Sequence, residues 1–180
     1  MLDANVLVPI LSCDLLLTCF DHDLHQPVVT LRILHKIDHS LAVDFPQLDP
    51  GAVGPSRPTN CRDPHASHTS PEADATPAVD GVNAKDRHVA ATGLATRSDL
   101  VVTNDRRLRR EINAPDTSLR TVSGDEFVVS LHRTRPNDID QVLEAMVAKR
   151  TRQPVARSDL LHALATPFPR FVAEVGARQD

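Results

Sequence analysis

The opening stretch MLDANVLVPILS is apolar at Leu2, Val6, Leu7 and Val8, a pattern that predicts a buried strand with an aspartate, Asp3, set inside it. SCDLLLTCF follows as a helix with Ser12 as N-cap and with Leu15, Leu16 and Cys19 on one face. QPVVT reads as a short β-branched strand, and Thr30 then caps a helix whose Ile33, Leu34, Ile37 and Leu41 recur at helical spacing. Pattern returns at Val79. A helix is predicted over about 84–97 with Val89, Ala90, Gly93 and Leu94 inward, followed by the strand LVVTN and the polar turn NDRRLRREI. LRTVS is the last strand, and Ser123 to Glu126 form a capping-box signature before FVVSL. Beyond Pro136, Ile139, Val142, Leu143 and Met146 mark one helix. Ser158 is the expected cap of another carrying Leu160, Leu161 and Leu164, and Phe168, Phe171 and Val172 finish the chain. Strands alternating with helices place the chain in the α/β class, with a parallel sheet.

Residues 49 to 78 break the pattern, because they hold one large aliphatic residue, Val53, and no leucine, isoleucine, phenylalanine or methionine. Pro46, Pro50, Pro55, Pro58, Pro64, Pro71 and Pro77, half of the 14 prolines, fall between 46 and 77 and exclude a regular helix or a central strand over that span. The stretch is expected to be an irregular, disordered loop, either an inserted segment or a region whose original reading was lost, for instance by compensating frameshifts. The expected organisation is a domain over 1–135 containing this loop and a helical extension over 136–180.

A length of 180 residues suits one domain with a sizeable core and a small appendage. No apolar run approaches the roughly 20 residues of a membrane span, and the start lacks the basic flank of a signal peptide, so a cytoplasmic protein is expected. Cys13, Cys19 and Cys61 are odd in number and lack metal-type pairing, which fits a reducing compartment with plain core thiols. Net charge is only -4, so no global basic field points to nucleic acid. The 20 cations are all arginine except Lys36, Lys85 and Lys149, a skew that suits phosphate binding and equally a GC-rich genome.

Burying Asp3 without a partner costs several kcal/mol by rough rule, so a cation is expected beside it. Asp86 begins a helix, and Asn104 and Asp105 lie at the carboxyl end of the VVTN strand, the edge where open α/β sheets bind ligands. If the first strand neighbours that one, Asp3, Asp86 and Asp105 converge. Three such carboxylates need a compensating cation, and their hard oxygens select magnesium or manganese. A cation held this way activates water and stabilises charge on a phosphodiester under in-line attack. Taken singly, Asp86 reads as a helix-dipole residue and Asp105 as a turn former, so their joint placement carries the inference.

LDANVLVP near the start, KDRHVAATGLATRSDLVVTNDRRL in the middle and the helical tail after DEFVVSL resemble a PIN-domain nuclease of the VapC toxin type. The similarity covers roughly residues 1–48 and 79–175. It implies a three-layer PIN-like fold, a central parallel sheet flanked by helices, with an acidic pocket at the strands' carboxyl ends. It also implies a magnesium-dependent endoribonuclease, usually a homodimer, acting on RNA and neutralised by a VapB-like antitoxin. Asp3, Asp86 and Asp105 match the first, third and fourth acidic positions of that pattern, and Asn5 and Thr103 match its polar pocket neighbours. The pattern ILxEIxxxL carries a glutamate where ILHKIDHSL has Lys36, and Asp38 lies about 200° round the helix from it. Two functions therefore stand side by side: an active metal-dependent endoribonuclease, and a catalytically weak PIN-like module that still binds a VapB-like partner.

Arg106, Arg107, Arg109 and Arg110 follow Asp105 directly. Arg106 and Arg107 are placed to hold RNA phosphates if the turn rims the pocket, and otherwise form a solvated helix face partnered by Glu111. His22 with His25, and Cys61 with His65 and His68, suggest zinc, but the spacing fits no strong zinc motif. An exposed seam along Leu143 and Met146 is the expected seat of an antitoxin helix.

Overall fold

The computed structural model describes residues 1–44, 79, 81–113, 119–151 and 153–178. The proline-rich stretch 49–78, with Cys61, His65 and His68, lies outside them, so the loop and the second zinc candidate do too. The described elements are α1 (Ala4–Leu7), α2 (Ile10–Asp21), α3 (Leu31–Asp44), α4 (Arg87–Ala95), β1 (Leu100–Val102), α5 (Arg106–Asn113), β2 (Arg120–Val122), α6 (Gly124–Thr134), α7 (Pro136–Ala148), α8 (Arg157–Leu164) and α9 (Pro169–Gly176). The arrangement is mixed and rich in helix, compatible with the α/β class. No helix among the described residues is long and apolar enough to cross a membrane.

The chain forms two compact units that are not consecutive in sequence: Met1–Val8 with Pro27–Val122, and Pro9–Gln26 with Ser123–Asp180. The C-terminal helices thus share a unit with α2 and α6, both of which fall within the 1–135 stretch.

In the first unit, β1 and β2 pair in parallel, with Leu100 opposite Arg120 and Val102 opposite Val122. Leu2 extends this sheet by one parallel bridge to Val102, fixed by Asp3 N–H to Val102 O and Val102 N–H to Met1 O. The strand expected over Leu2–Val8 therefore stops after its first residues. The Asp3 side chain accepts a hydrogen bond from Ala4 N at 2.7 Å and caps α1, whose Ala4, Val6 and Leu7 are buried, so the apolar run is satisfied as a helix turn. QPVVT likewise forms no strand, although Val28 O accepts from Leu2 N at 3.0 Å. Thr30 caps α3 as expected, with Oγ1 accepting from Ile33 N. The polar turn after β1 is instead the helix α5. Helix α4 lies close against the sheet at Gly93, where a Cβ would stand 3.0 Å from Leu119 Cδ1 and from Val101 Cγ2.

The second unit is helical. Helix α7 buries Ile139, Val142, Leu143 and Met146 against α2, α6 and α8, and α9 packs on α6. Leu143 and Met146 are each 0% exposed, so the seam expected to receive an antitoxin helix is core instead. The periodicity marked the helix correctly, but the three neighbours had already claimed its apolar face. Ser123 caps α6 through the capping box with Glu126. At α8 the cap is Ala156, with Asp159 accepting from its N–H, so Ser158 sits inside the helix. Pro9 rather than Ser12 precedes the first turn of α2, whose Leu15, Leu16 and Cys19 are buried as expected. Burial pushes the Cys19 thiol up to about 12, which leaves it an inert core residue.

Candidate functional site

The parallel bridge at Leu2 brings Asp3 beside Thr103, at the carboxyl end of β1. Thr103 Oγ1 donates to Asp3 Oδ2 at 2.8 Å, and Asn5 Nδ2 donates to the same oxygen at 2.8 Å and to Thr103 Oγ1 at 2.9 Å. Asn5 Oδ1 in turn accepts from Asn104 N at 2.9 Å. Four of the residues named from sequence, Asp3, Asn5, Thr103 and Asn104, therefore form one hydrogen-bonded cluster. Asp3 is 6% exposed. Burial pushes its carboxyl above the ordinary range, the hydrogen bonds from Thr103 and Ala4 and the Lys36 charge oppose this, and the Asp86 charge adds to it.

Asp86 is the residue before α4 and makes no capping hydrogen bond, so its carboxylate is not spent on the helix end. Its nearest ion pair is the exposed Lys85 ammonium at 3.8 Å. Asp105 is differently placed. Its Oδ1 accepts from Arg107 N at 2.8 Å and Leu108 N at 3.1 Å, the N-terminus of α5. The Leu108 and Arg107 amides, with the charges of Lys85 and Arg107, hold its carboxyl below the ordinary range. Asp105 N also donates to Thr103 Oγ1 at 3.2 Å, which ties α5 to the cluster.

Lys36, on α3, stands where the PIN pattern places a carboxylate. Its ammonium donates to His88 Nε2 at 3.4 Å and its charge acts on Asp3. An ammonium has no acceptor, so Nε2 is the accepting nitrogen of this contact. His88 is 5% exposed and was not singled out by sequence, because nothing local marks a histidine two residues past Asp86 as facing α3. Among the described residues no three or more His, Cys, Asp and Glu side chains are gathered as a metal group. The Asp86 charge acts on Asp3, while Asp105 is engaged at the start of α5.

The two arginines behave unequally. Arg107 pairs with Glu111 at 2.6 Å on the solvated face, and Glu111 also accepts from Asn83 N at 2.9 Å. Arg106 instead lines an open groove with Arg109, Arg110 and Asn113. The first zinc candidate, His22 with His25, is not part of a group of three or more His, Cys, Asp and Glu side chains among the described residues. His25 Nε2 bonds to Leu16 O at 2.8 Å and its ring packs edge-on to Phe127 at 5.2 Å.

The chemistry open to this arrangement is that of a buried Asp3 carboxylate held by an ordered amide and hydroxyl, with the charges of Lys36 and Asp86 acting on it. Comparison with family models, curated proteins and solved structures returns no match for this chain.

Proposed function

We propose that the chain is a PIN-like endoribonuclease of the VapC toxin type, built on a three-layer sheet-and-helix fold, cleaving RNA phosphodiester bonds with magnesium or manganese. The observation that carries the reading is the buried Asp3 carboxylate at the carboxyl end of the sheet, sharing its electrostatic field with Asp86. The donor set suits a hard divalent cation, since magnesium is commonly held by one or two carboxylates and keeps several waters. Asp3 and Asp86 would hold it, and Asp105 would stand at the rim. A cation bound there supplies an activated water and neutralises charge developing on the phosphodiester. Asn5 and Thr103 fix the orientation of the Asp3 carboxylate, and Asp86 offers oxygens that no helix end consumes. A VapB-like antitoxin and a second copy of the chain are the partners of this reading.

A second function is favoured by one specific observation. The Lys36 ammonium supplies the positive charge that a metal would otherwise supply to Asp3. In that case the module binds its partner and cleaves RNA weakly or not at all. The deciding measurement is RNA cleavage with magnesium and with manganese by the natural chain and by Asp86→Asn. Cleavage abolished by the substitution supports the nuclease, and equal background in both leaves only the binding module.

A further inference from the structure

We propose that the groove on the Arg106–Arg109–Arg110 side of α5 binds the backbone phosphates of single-stranded RNA, an assignment that rests on the ribonuclease reading for its ligand. The groove has a volume of about 460 Å³ and, among the described residues, is lined by Arg106, Arg109, Arg110 and Asn113 of α5. Arg107 is not part of it, since its guanidinium is committed to Glu111 at 2.6 Å. Arg106 and Arg110 are exposed and make no ion pair among the described residues.

Helix stability does not account for this placement. Arg106 and Arg107 stand in the first turn, where the helix dipole disfavours cations, and only Arg110 lies in the last turn. Arg106 and Arg110 are also like charges four residues apart, a spacing that destabilises an isolated helix. An anion in the groove removes both penalties. The two guanidiniums rise about 6 Å along the helix, within reach of neighbouring phosphates on one strand, and the planar fork of arginine pairs with phosphate through two parallel hydrogen bonds. Asn113 adds an amide that can donate to a phosphate or sugar oxygen. Asp105 caps α5, so the groove begins one residue from the acidic site and continues the path of a strand whose scissile phosphate lies there.

The test uses the full chain and a labelled single-stranded RNA in EDTA, so that binding is read without cleavage. The double variant Arg106→Glu/Arg110→Glu is compared with Arg97→Glu/Arg178→Glu, which makes the same charge change at exposed positions that do not line the groove. The expected result is at least a roughly tenfold weaker affinity in the first variant alone, with a salt dependence flatter by about 1.4 for two lost phosphate contacts. Thermal melting of both variants checks that they remain folded, and Arg106→Gln/Arg110→Gln replaces the glutamates if the first variant does not. Equal loss in both charge variants, or no loss in the groove variant, overturns the assignment. Loss of polyaspartate binding with RNA binding retained overturns it in favour of an acidic protein partner. Asp86→Asn separates the two proposals: it keeps RNA affinity if the groove binds RNA, whether or not the natural chain cleaves.

Discussion

Lys36 Nζ lies 3.4 Å from His88 Nε2, joining α3 to α4 across 52 positions of sequence beside the buried Asp3. An ammonium at this place makes the acidic site partly self-neutralised. It stabilises the ionised Asp3 against the burial that opposes it, and the divalent cation of the proposed nuclease would have to compete with it.

Replacing Lys36 by glutamate therefore acts on the site directly. Lys36→Glu adds a carboxylate where a cation now stands, and the expected outcome is tighter magnesium and manganese binding with RNA cleavage rising above that of the natural chain. Calorimetric metal titration and a cleavage assay read the two effects separately. Metal affinity left unchanged would remove Lys36 from the site.

Two histidines of the helical unit, His25 and His132, make stability fall on acidification. Burial lowers the His132 pKa, and the Arg178 charge adds to this against Glu174 and Asp140; burial likewise lowers that of His25 against its bond to Leu16 O. Both favour the neutral ring in the folded state, so the unfolded chain takes up protons first, near the ordinary value of 6.5. The contribution is fully present above that pH and is lost as pH falls through the lowered folded values. Melting temperature should drop between about pH 7 and pH 5. His132→Leu should flatten part of that slope, because Nδ1 of His132 is buried with no hydrogen-bond partner to lose.

Gly93 sets how closely α4 approaches the sheet. A leucine there must displace Leu119 and Val101, so Gly93→Leu is expected to cost about 1–3 kcal/mol in urea unfolding. A variant as stable as the natural chain would show that this contact yields freely.

Leu143 is a core residue of the helical unit. Leu143→Ala should destabilise by about 2–5 kcal/mol, measured by the same method. A soluble, undiminished variant with altered partner binding would return Leu143 to the surface role first expected of it.

Local signals in the sequence were sufficient wherever one residue type answers one backbone need. Thr30 and Ser123 cap helices because their hydroxyls reach the free amides of the next turn, and Ile139, Val142, Leu143 and Met146 share a face because of helical periodicity alone. Asn104 was legible for a similar reason, whereas Asn5 and Thr103 were named only because the stretches around them resemble the PIN pattern. Polar residues at a strand's carboxyl end have few places to go.

Long-range packing decided the rest. Apolar residues alone do not distinguish a buried strand from a buried helical turn, and Leu2–Val8 became mostly α1 once Asp3 spent an oxygen on Ala4 N. Whether an apolar face is core or docking surface depends on which helices arrive there, and α2, α6 and α8 reached α7 first. The sequence by itself determined the helix periods, the caps at Thr30 and Ser123 but not those expected at Ser12 and Ser158, and the identity of the acidic residues, since these follow from neighbours along the chain. Only the tertiary structure decided that Lys36 faces His88 and Asp3, that Arg107 turns to Glu111 and that Arg106 opens onto a groove, because each depends on elements brought together in space.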